Sequence, residues 1–597
     1  MSTTTPYEFL YQFKDNSFVL NQMLEKMSAM AQGLKIRNFK KLFHDYVEAQ
    51  RKAAGIITAD STTQFEGQEL ELNCGQWQAD EYGITRDGQF GEIEACNHPL
   101  LPVMRLVNID TGVEKLKLAY RKGKQWRHII AEKKVLASNN AILDLANVGI
   151  AVNSDNAKHM VQYLHDVEAL NYDEIPEKNS VSRLGWIHGE GFSPYVENLV
   201  YDGENNFKGI FDSVKSHGSF EKWKDAALSV RSGGSVPARM ILAASFASVL
   251  APIAEALSFF VHLWGSESGT GKTVALMLAA SVWADPQAGQ YIKTFNGTQV
   301  SLELTAGFVN NLPLILDEFQ MLRNKKDFEQ IVYMLAEGVG KGRGGKTGGV
   351  RETQTWKNCI LTSGEMPITN FMAGAGAFNR IVEIECTEKL FPDPMGLLAV
   401  IRQNYGSAGK LFVEKLQEEE TSQRVKELYT GFYKEIIQSD TTEKQAMAGA
   451  VILAADKLAD EWIFEDGKAL RYEEIAEYLH TKSEVDINER AYDYICETIA
   501  ANAQKFSGSD PYETWGRFFG NQVQIIRSIF EKICEEGGYS SRAVLSWLMR
   551  KKLLEPSFKK DGKPIPTRQV KIGGTNVRCV VMTLQENPDD NWYDDIG

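Results

Sequence analysis

The sequence predicts an α/β P-loop core, preceded by a helical and then β-rich region and followed by a winged helix. Three observations predict it. A glycine-rich loop, Trp264-Gly-Ser-Glu-Ser-Gly-Thr-Gly-Lys-Thr273, separates an apolar strand from a helical run. A second apolar run, Leu312-Pro-Leu-Ile-Leu-Asp317-Glu318, ends in two carboxylates. Near the C-terminus, two helical stretches parted by Gly537-Gly538 precede two strand-like runs, the order of a helix–turn–helix with a β-hairpin wing.

Composition bounds this reading. A chain of 597 residues suggests about four domains. Lys and Arg number 65 against 79 Asp and Glu, a net charge of −14, with 43% apolar and 24% charged residues. That is an ordinary globular balance and excludes a disordered chain, a collagen-like repeat or a small disulfide scaffold. Seven scattered cysteines without a Cys-x-x-Cys pair predict reduced thiols and a cytoplasmic protein. Cys74, Cys96 and His98 lack paired zinc spacing and read as buried residues of a β-rich region. The N-terminal Met1–Pro6 has no basic-then-apolar signal pattern. The apolar stretch Ala238–Trp264 is broken by Arg239, Pro252, Glu255 and His262. It therefore reads as a buried helix, Ala238–Ala256, and a strand, Leu257–Trp264, with no membrane span.

Along the chain, residues 1–65 read as helical, with Phe13, Leu20, Met23, Leu24 and Met27 at three- and four-residue spacing. Residues 66–220 alternate short apolar runs with turns such as Asp87-Gly88 and Asp202-Gly203, a β-rich pattern. Strands and helices alternate over 221–395, the core. Residues 396–515 read as a helical lid and linker, with Ala446–Ala459 an alanine-rich amphipathic helix. Residues 516–585 form the winged helix, built from helices Gln524–Glu535 and Arg542–Leu554 and strands Arg568–Ile572 and Val577–Leu584. Residues 586–597 are an acidic tail.

The loop's backbone N–H groups, Gly269, Thr270 and Gly271 among them, suit wrapping of phosphate oxygens at a helix N-terminus. Lys272 would reach the β- and γ-phosphates of ATP, and Thr273 would ligate Mg²⁺. The strict G-x-x-x-x-G-K-[ST] spacing is missed by one residue, because Ser266 stands at its first position and Gly265 one earlier. Asp317 would hold Mg²⁺ through water, and Glu318 would polarise the attacking water. The strand Asn358–Ser363 ends in hydroxyls, as does the sensor strand of AAA+ ATPases. Ser363 is the first choice for the sensor and Thr362 the second. Arg380, before an alternating strand, suits an arginine finger on a neighbouring subunit's ATP, or a structural ion pair with Glu383 or Glu385.

Three basic stretches carry +18 together and leave −32 on the rest of the chain. Residues 338–358 hold seven glycines with Lys341, Arg343, Lys346, Arg351 and Lys357, net +4. That pattern suits a mobile hairpin gripping a phosphate backbone. Residues 540–583, including Lys551 and Lys552, carry +8, a duplex-binding footprint. Residues 114–134 carry +6 and read equally as a DNA-tracking hairpin or a solvated sheet face.

Taken together, Gly338-Val-Gly-Lys-Gly-Arg343, Trp356, Thr362-Ser-Gly-Glu365 and Asn404-Tyr-Gly-Ser-Ala-Gly409 around the Asp317-Glu318 strand resemble one family. It comprises the superfamily-3-like and MCM-like helicases of phages and mobile elements, among them those of staphylococcal cassette chromosome elements. The resemblance covers about residues 70–460. It implies an AAA+ core, a homo-hexameric ring and ATP-driven translocation on single-stranded DNA, 3′ to 5′, in replication of a mobile element. It maps Lys272, Thr273, Asp317 and Glu318 onto nucleotide hydrolysis, Ser363 onto the sensor, Arg380 onto the finger, and Lys341, Arg343 and Lys346 onto a pore hairpin. The segment between Lys272 and Asp317 leaves little room for the helix-2 insert of true MCM proteins, and only Lys444 offers itself as a second sensor. No zinc ligands of a primase module are present, so priming falls to a separate primase or polymerase. The alternative is an ATP-switched, DNA-binding initiator that assembles without unwinding.

Overall fold

The computed structural model describes residues 4–14, 17–34, 36–53, 61–88, 91–319, 325–344, 350–351, 353–371, 378–507 and 513–584. Lys346 and the acidic tail lie outside these. The chain divides into two compact units, Met1–Ser182 with Ile187–Asn205, and Arg183–Trp186 with Asn206–Gly597.

The first unit opens with three helices, α1 (Thr5–Tyr11), α2 (Ser17–Gly33) and α3 (Phe39–Ala53). They close on a small core of Leu10, Leu20, Leu24, Ala31, Phe39 and Phe43. An antiparallel sheet follows, β1 (Gln78–Asp80), β2 (Gly83–Gly88) and β3 (Gly91–Cys96). A five-stranded sheet is built from β4 (Leu100–Asn108), β5 (Glu114–Lys122), β6 (Gln125–Glu132), β7 (Glu177–Val181) and β8 (Val200–Tyr201), in the order β8-β7-β4-β5-β6. Helix α4 (Ala157–Leu170) buries Met160, Tyr163, Leu164 and Val167 in the same core as Cys74, Cys96, Leu116 and Leu118. Burial pushes the Cys74 and Cys96 thiols up to about 12, so they pack as small apolar groups.

The second unit centres on a parallel sheet. Its elements, in chain order, are α5 (Phe220–Gly233), α6 (Val236–Leu250), β9 (Phe259–Trp264), α7 (Lys272–Ser281), β10 (Lys293–Thr294), α8 (Gln299–Val309), β11 (Leu314–Asp317) and α9 (Lys325–Glu337). A hairpin follows, β12 (Arg343–Gly344) and β13 (Val350–Arg351), then β14 (Cys359–Gly364) and β15 (Ile381–Glu385). The sheet order is β10-β11-β14-β9-β15, every pair parallel. Such strands are covered on both faces, which explains their continuous apolar runs.

Helix starts follow local chemistry: the side chains of Ser219, Ser235 and Thr298 each accept the N–H three residues on, and Pro237 fits the first turn of α6. Helix α6 is buried nearly all round, 13 of its 15 residues. Its two serines are satisfied within this interior: Ser245 donates to the Ala279 carbonyl at 2.7 Å, and Ser248 accepts the Cys359 N–H at 3.0 Å. Past two further helices, Pro394–Ile401 and Ser407–Leu416, lie α10 (Thr421–Ile437) and α11 (Glu443–Ala459), and α11 packs along α6. The alanine-rich stretch expected to be amphipathic is enclosed instead, with 13 of 17 residues of α11 buried. Alanine's small side chain lets neighbouring helices approach on every side.

The C-terminal module contains α12 (Ile487–Ala501), β16 (Gly516–Phe519), β17 (Gln522–Ile526), α13 (Arg527–Glu536), α14 (Ser541–Arg550), β18 (Arg568–Ile572) and β19 (Thr575–Thr583). The sheet runs β16-β17-β19-β18, antiparallel throughout. One expectation is corrected here: Gln524–Ile526 is strand, and the helix begins at Arg527. Val523 and Ile525 alternate into the core with Val580 and Met582, which a short apolar run does not reveal. Helix α12, expected to be linker, packs its Ala491, Tyr492, Ile495 and Ile499 into this module's core with Phe530, Val544 and Leu548.

A candidate nucleotide-binding edge and its basic hairpin

Parallel register brings the carboxyl ends of β9, β11 and β14 to one edge: Leu263 pairs with Ser363, Trp264 with Gly364 and Leu316 with Thr362. The glycine-rich loop leaves β9 at this edge and α7 begins at Lys272. Gly271 caps α7 at φ +99°, where a Cβ would stand 3.1 Å from Phe391, and Gly265 sits at φ +155° with a Cβ position 2.9 Å from the Cys386 carbonyl. Only glycine fits both places. The displaced first glycine therefore serves the loop's approach to the end of β15. Leu390 backs the loop by donating its N–H to the Thr270 carbonyl at 2.9 Å.

The Lys272 Nζ curls over its own loop, donating to the carbonyls of Gly265 (2.8 Å) and Glu267 (3.0 Å) and to Thr270 Oγ1 (3.4 Å). Thr273 is exposed at the first turn of α7, as is Gly269 in the loop. Across the edge, Asp317 accepts a hydrogen bond from Ser363 Oγ and another from the Glu318 N–H at 3.0 Å. Strand alternation separates the two sensor candidates. Ser363 faces Asp317, whereas Thr362 Oγ1 lies 2.8 Å from His262 Nδ1 on the other face. Glu318 takes φ +59° and is exposed, a left-handed conformation that costs a non-glycine residue roughly 1–2 kcal/mol. The next residue explains the turn: Phe319 is buried against His262, Phe295 and Phe328. Anchoring that ring swings the Glu318 carboxylate outward.

Behind the edge, His262 is fully buried, with Nε2 3.0 Å from the Met366 carbonyl. Burial pushes its pKa down to about 4. Arg380 is not brought to the loop. Ile381 pairs with Phe260, at the opposite end of the sheet. The Arg380 side chain is 6% exposed and donates to Glu337 at 2.5 Å, while its Nε has no partner among the described residues. Its ion-pair partner is thus neither Glu383 nor Glu385, and Glu383 accepts from Thr369. Burial raises the Glu337 carboxyl, but the Arg380 hydrogen bond and charge outweigh it and hold it below the ordinary range. The same arginine, after burial, pushes Lys444 down.

The glycine-rich basic segment forms an antiparallel hairpin, with Arg343 opposite Arg351. Lys341 is exposed. Arg343 is not free: its guanidinium spans both Glu303 oxygens, Nη1–Oε1 2.8 Å and Nη2–Oε2 2.7 Å. A cleft of about 860 Å³ adjoins the hairpin base, lined by Gln299, Tyr333, Glu337 and Lys341 among others. In the C-terminal module, Lys551 and Lys552 are exposed just past α14, with Lys551 Nζ 5.4 Å from the Trp547 ring. Of the 114–134 bases, Lys115, Arg121, Lys133 and Lys134 each have a carboxylate partner, while Lys122, Lys124 and Arg127 are exposed. Sequence reasoning missed Glu303, Glu337 and His262. The one available signal was Glu303, an acid inside the apolar stripe Leu302, Ala306, Phe308 of α8. Such a carboxylate needs a partner.

Comparisons place these observations. Residues 71–355 match a family model described as a domain of unknown function, DUF927, and residues 486–587 match the Cch helix turn helix domain. The class so defined is a helicase-like fold of mixed α/β sheets with a Cch-type helix–turn–helix at its C-terminal end. One solved structure of similar fold is titled SCCmec type IV Cch, active helicase: TM-score 0.60, 19% identity, over 85% of this chain and 97% of that one. In fold and in its C-terminal domain the chain resembles the helicase of staphylococcal cassette chromosome elements. The apo NrS-1 C-terminal region also matches, at TM-score 0.28 and 11% identity over 80% of this chain and 96% of that one. No curated protein matches. Among the described residues, no helix is long and apolar enough to cross a membrane.

Proposed function

We propose that this protein is an ATP-hydrolysing, ring-forming DNA helicase of the MCM-like AAA+ type, acting in replication of a mobile element. The single observation that carries the reading is the shared edge: a phosphate-type loop, Asp317, Glu318 and Ser363 meet at the carboxyl ends of adjacent parallel strands. The sheet order, with the loop leaving a strand flanked by β14 and β15, supports an AAA+ core. Lys272 and the backbone of Gly269, Thr270 and Gly271 would hold the phosphates. Thr273 and Asp317 offer the oxygen donors that Mg²⁺ requires, and the ion when bound would offset phosphate charge. Glu318, held outward by the left-handed turn, would orient the lytic water, with Ser363 steadying Asp317.

Arg380 lies too far along the sheet to serve its own loop, so its finger role is assigned to a neighbouring subunit of a homo-hexamer, once released from Glu337. The hairpin would track one DNA strand, 3′ to 5′. The C-terminal module, with Lys551 and Lys552, would act as a winged helix on duplex, in a cytoplasmic setting with a separate primase or polymerase. The domain limits are those expected from the chain's patterning, with the C-terminal module extended back to include α12. The test is strand displacement on a forked duplex. Glu318→Gln is expected to lose unwinding and ATP turnover by about 10²–10⁴-fold while still binding ATP. Full-rate unwinding by that variant would sink the assignment.

A further inference from the structure

The hairpin's two leading cations do different things in the structure. Lys341 is exposed, and its backbone N–H points to Glu303 Oε1 at 3.2 Å. Arg343 closes a two-bond fork on the same carboxylate. Glu303 is 1% exposed and sits on the inner face of α8. The rest of the hairpin root is fitted to that helix with little clearance. A Cβ at Gly340 would collide with the Glu303 carboxylate, and one at Gly307 of α8 would stand 2.6 Å from Gln354 on the return leg. The two legs are joined by Gly340 N–H to the Gln354 carbonyl (2.8 Å) and Trp356 N–H to the Gly338 carbonyl (2.9 Å). Trp356 itself is buried and donates to the Leu335 carbonyl at 3.0 Å.

We infer that Glu303 is a positioning residue: it takes Arg343 as a structural brace that seats the hairpin root on α8, leaving Lys341 to bind phosphate. The bidentate fork commits the Nη1–Nη2 edge of the guanidinium and sets its charge against the Glu303 carboxylate, which leaves less of both for a phosphate. Removing Arg343 from Glu303 would strand a carboxylate that is almost wholly out of water. Lys341 has no such partner among the described residues' salt bridges, and its exposure fits an interaction that reads charge and not sequence.

This inference rests on the helicase reading, and the experiment separates the two. Full-length protein is titrated with oligo-dT across a salt series, and unwinding of a forked duplex is measured alongside. Wild-type binding that does not weaken with salt would end the helicase reading itself. With that control in place, Lys341→Ala is expected to flatten the slope of log K against log salt by about 0.7 for each phosphate no longer neutralised. Arg343→Gln is expected to keep the wild-type slope while unwinding falls by roughly 10- to 100-fold, the cost of a misplaced element. The charge swap Glu303→Arg with Arg343→Glu is expected to unwind better than either single variant, a rescue impossible for an arginine that grips phosphate. Arg343→Gln flattening the slope as much as Lys341→Ala would overturn the inference, and that measurement decides alone if the swap fails to fold.

Discussion

Lys272 in the glycine-rich loop and Arg231 in α5 are both cations held by several oxygens, and they are held in opposite ways. Among the described residues, every oxygen on Lys272 is neutral, two carbonyls and a hydroxyl. Every oxygen on Arg231 belongs to a carboxylate: Asp456 at 2.5 Å, Asp466 at 3.0 Å and Asp460 at 3.7 Å, with the Phe464 ring 4.5 Å from the guanidinium. Carbonyls satisfy the ammonium donors without cancelling its charge, so an arriving anion meets a full positive charge already in place. Carboxylates cancel the guanidinium, whose side chain is 0% exposed, and turn it into a joint between α5, α11 and the segment after it. Burial raises the Asp466 carboxyl, yet hydrogen bonds from Arg231 and from the Lys468 N–H hold it down at about 2.

The contrast can be broken most directly by removing each cation in turn. Arg231→Met leaves Asp456 buried without its partner and is expected to cost about 3–5 kcal/mol in urea unfolding. Lys272→Ala is expected to change that stability by no more than about 0.5 kcal/mol while abolishing ATP turnover. Equal destabilisation by the two would erase the distinction. Another buried group tests the role of water exclusion itself. His262 has its pKa lowered from 6.5 to about 4. The unfolded chain therefore binds the extra proton in the window between those values, and stability falls as pH drops through it, by about 3 kcal/mol in full. His262→Asn should remove that part of the pH dependence between pH 6.5 and 4, read from unfolding midpoints. The smallest effect is expected where pairing occurs in water. Arg568 and Glu555 lie 2.8 Å apart but are 52% and 45% exposed, so Glu555→Gln should change stability by less than about 1 kcal/mol. A larger loss would mean that pairing and not burial is what distinguishes Arg231.

The candidate site was legible wherever function follows chain order. The loop between β9 and α7, and the acids ending β11, need only strand, turn and helix signals in sequence. Alternation along β14 even separates Ser363 from Thr362 once the neighbouring strand is known. What was not legible lies across the chain. Glu303 and Arg343 are forty residues apart, and Glu337 reaches Arg380 from another element, so no local pattern pairs them. Arg343 consequently read as a free cation. Burial misled twice in the fold. Alanines in α11 suggested a half-exposed helix where packing encloses it, and two alternating residues in β17 were too few to overrule a helical period.

The enclosure of α6 has a consequence for dissecting the molecule. One side of this helix meets α7 and β14 through Ser245 and Ser248, and another meets α11. A fragment ending at residue 395, the limit read from the sequence as the end of the core, would keep α6 and discard the helix that covers it. The uncovered apolar surface would recruit other copies of the fragment. Sheet and α11 are therefore inseparable in expression, and proteolysis should release them together.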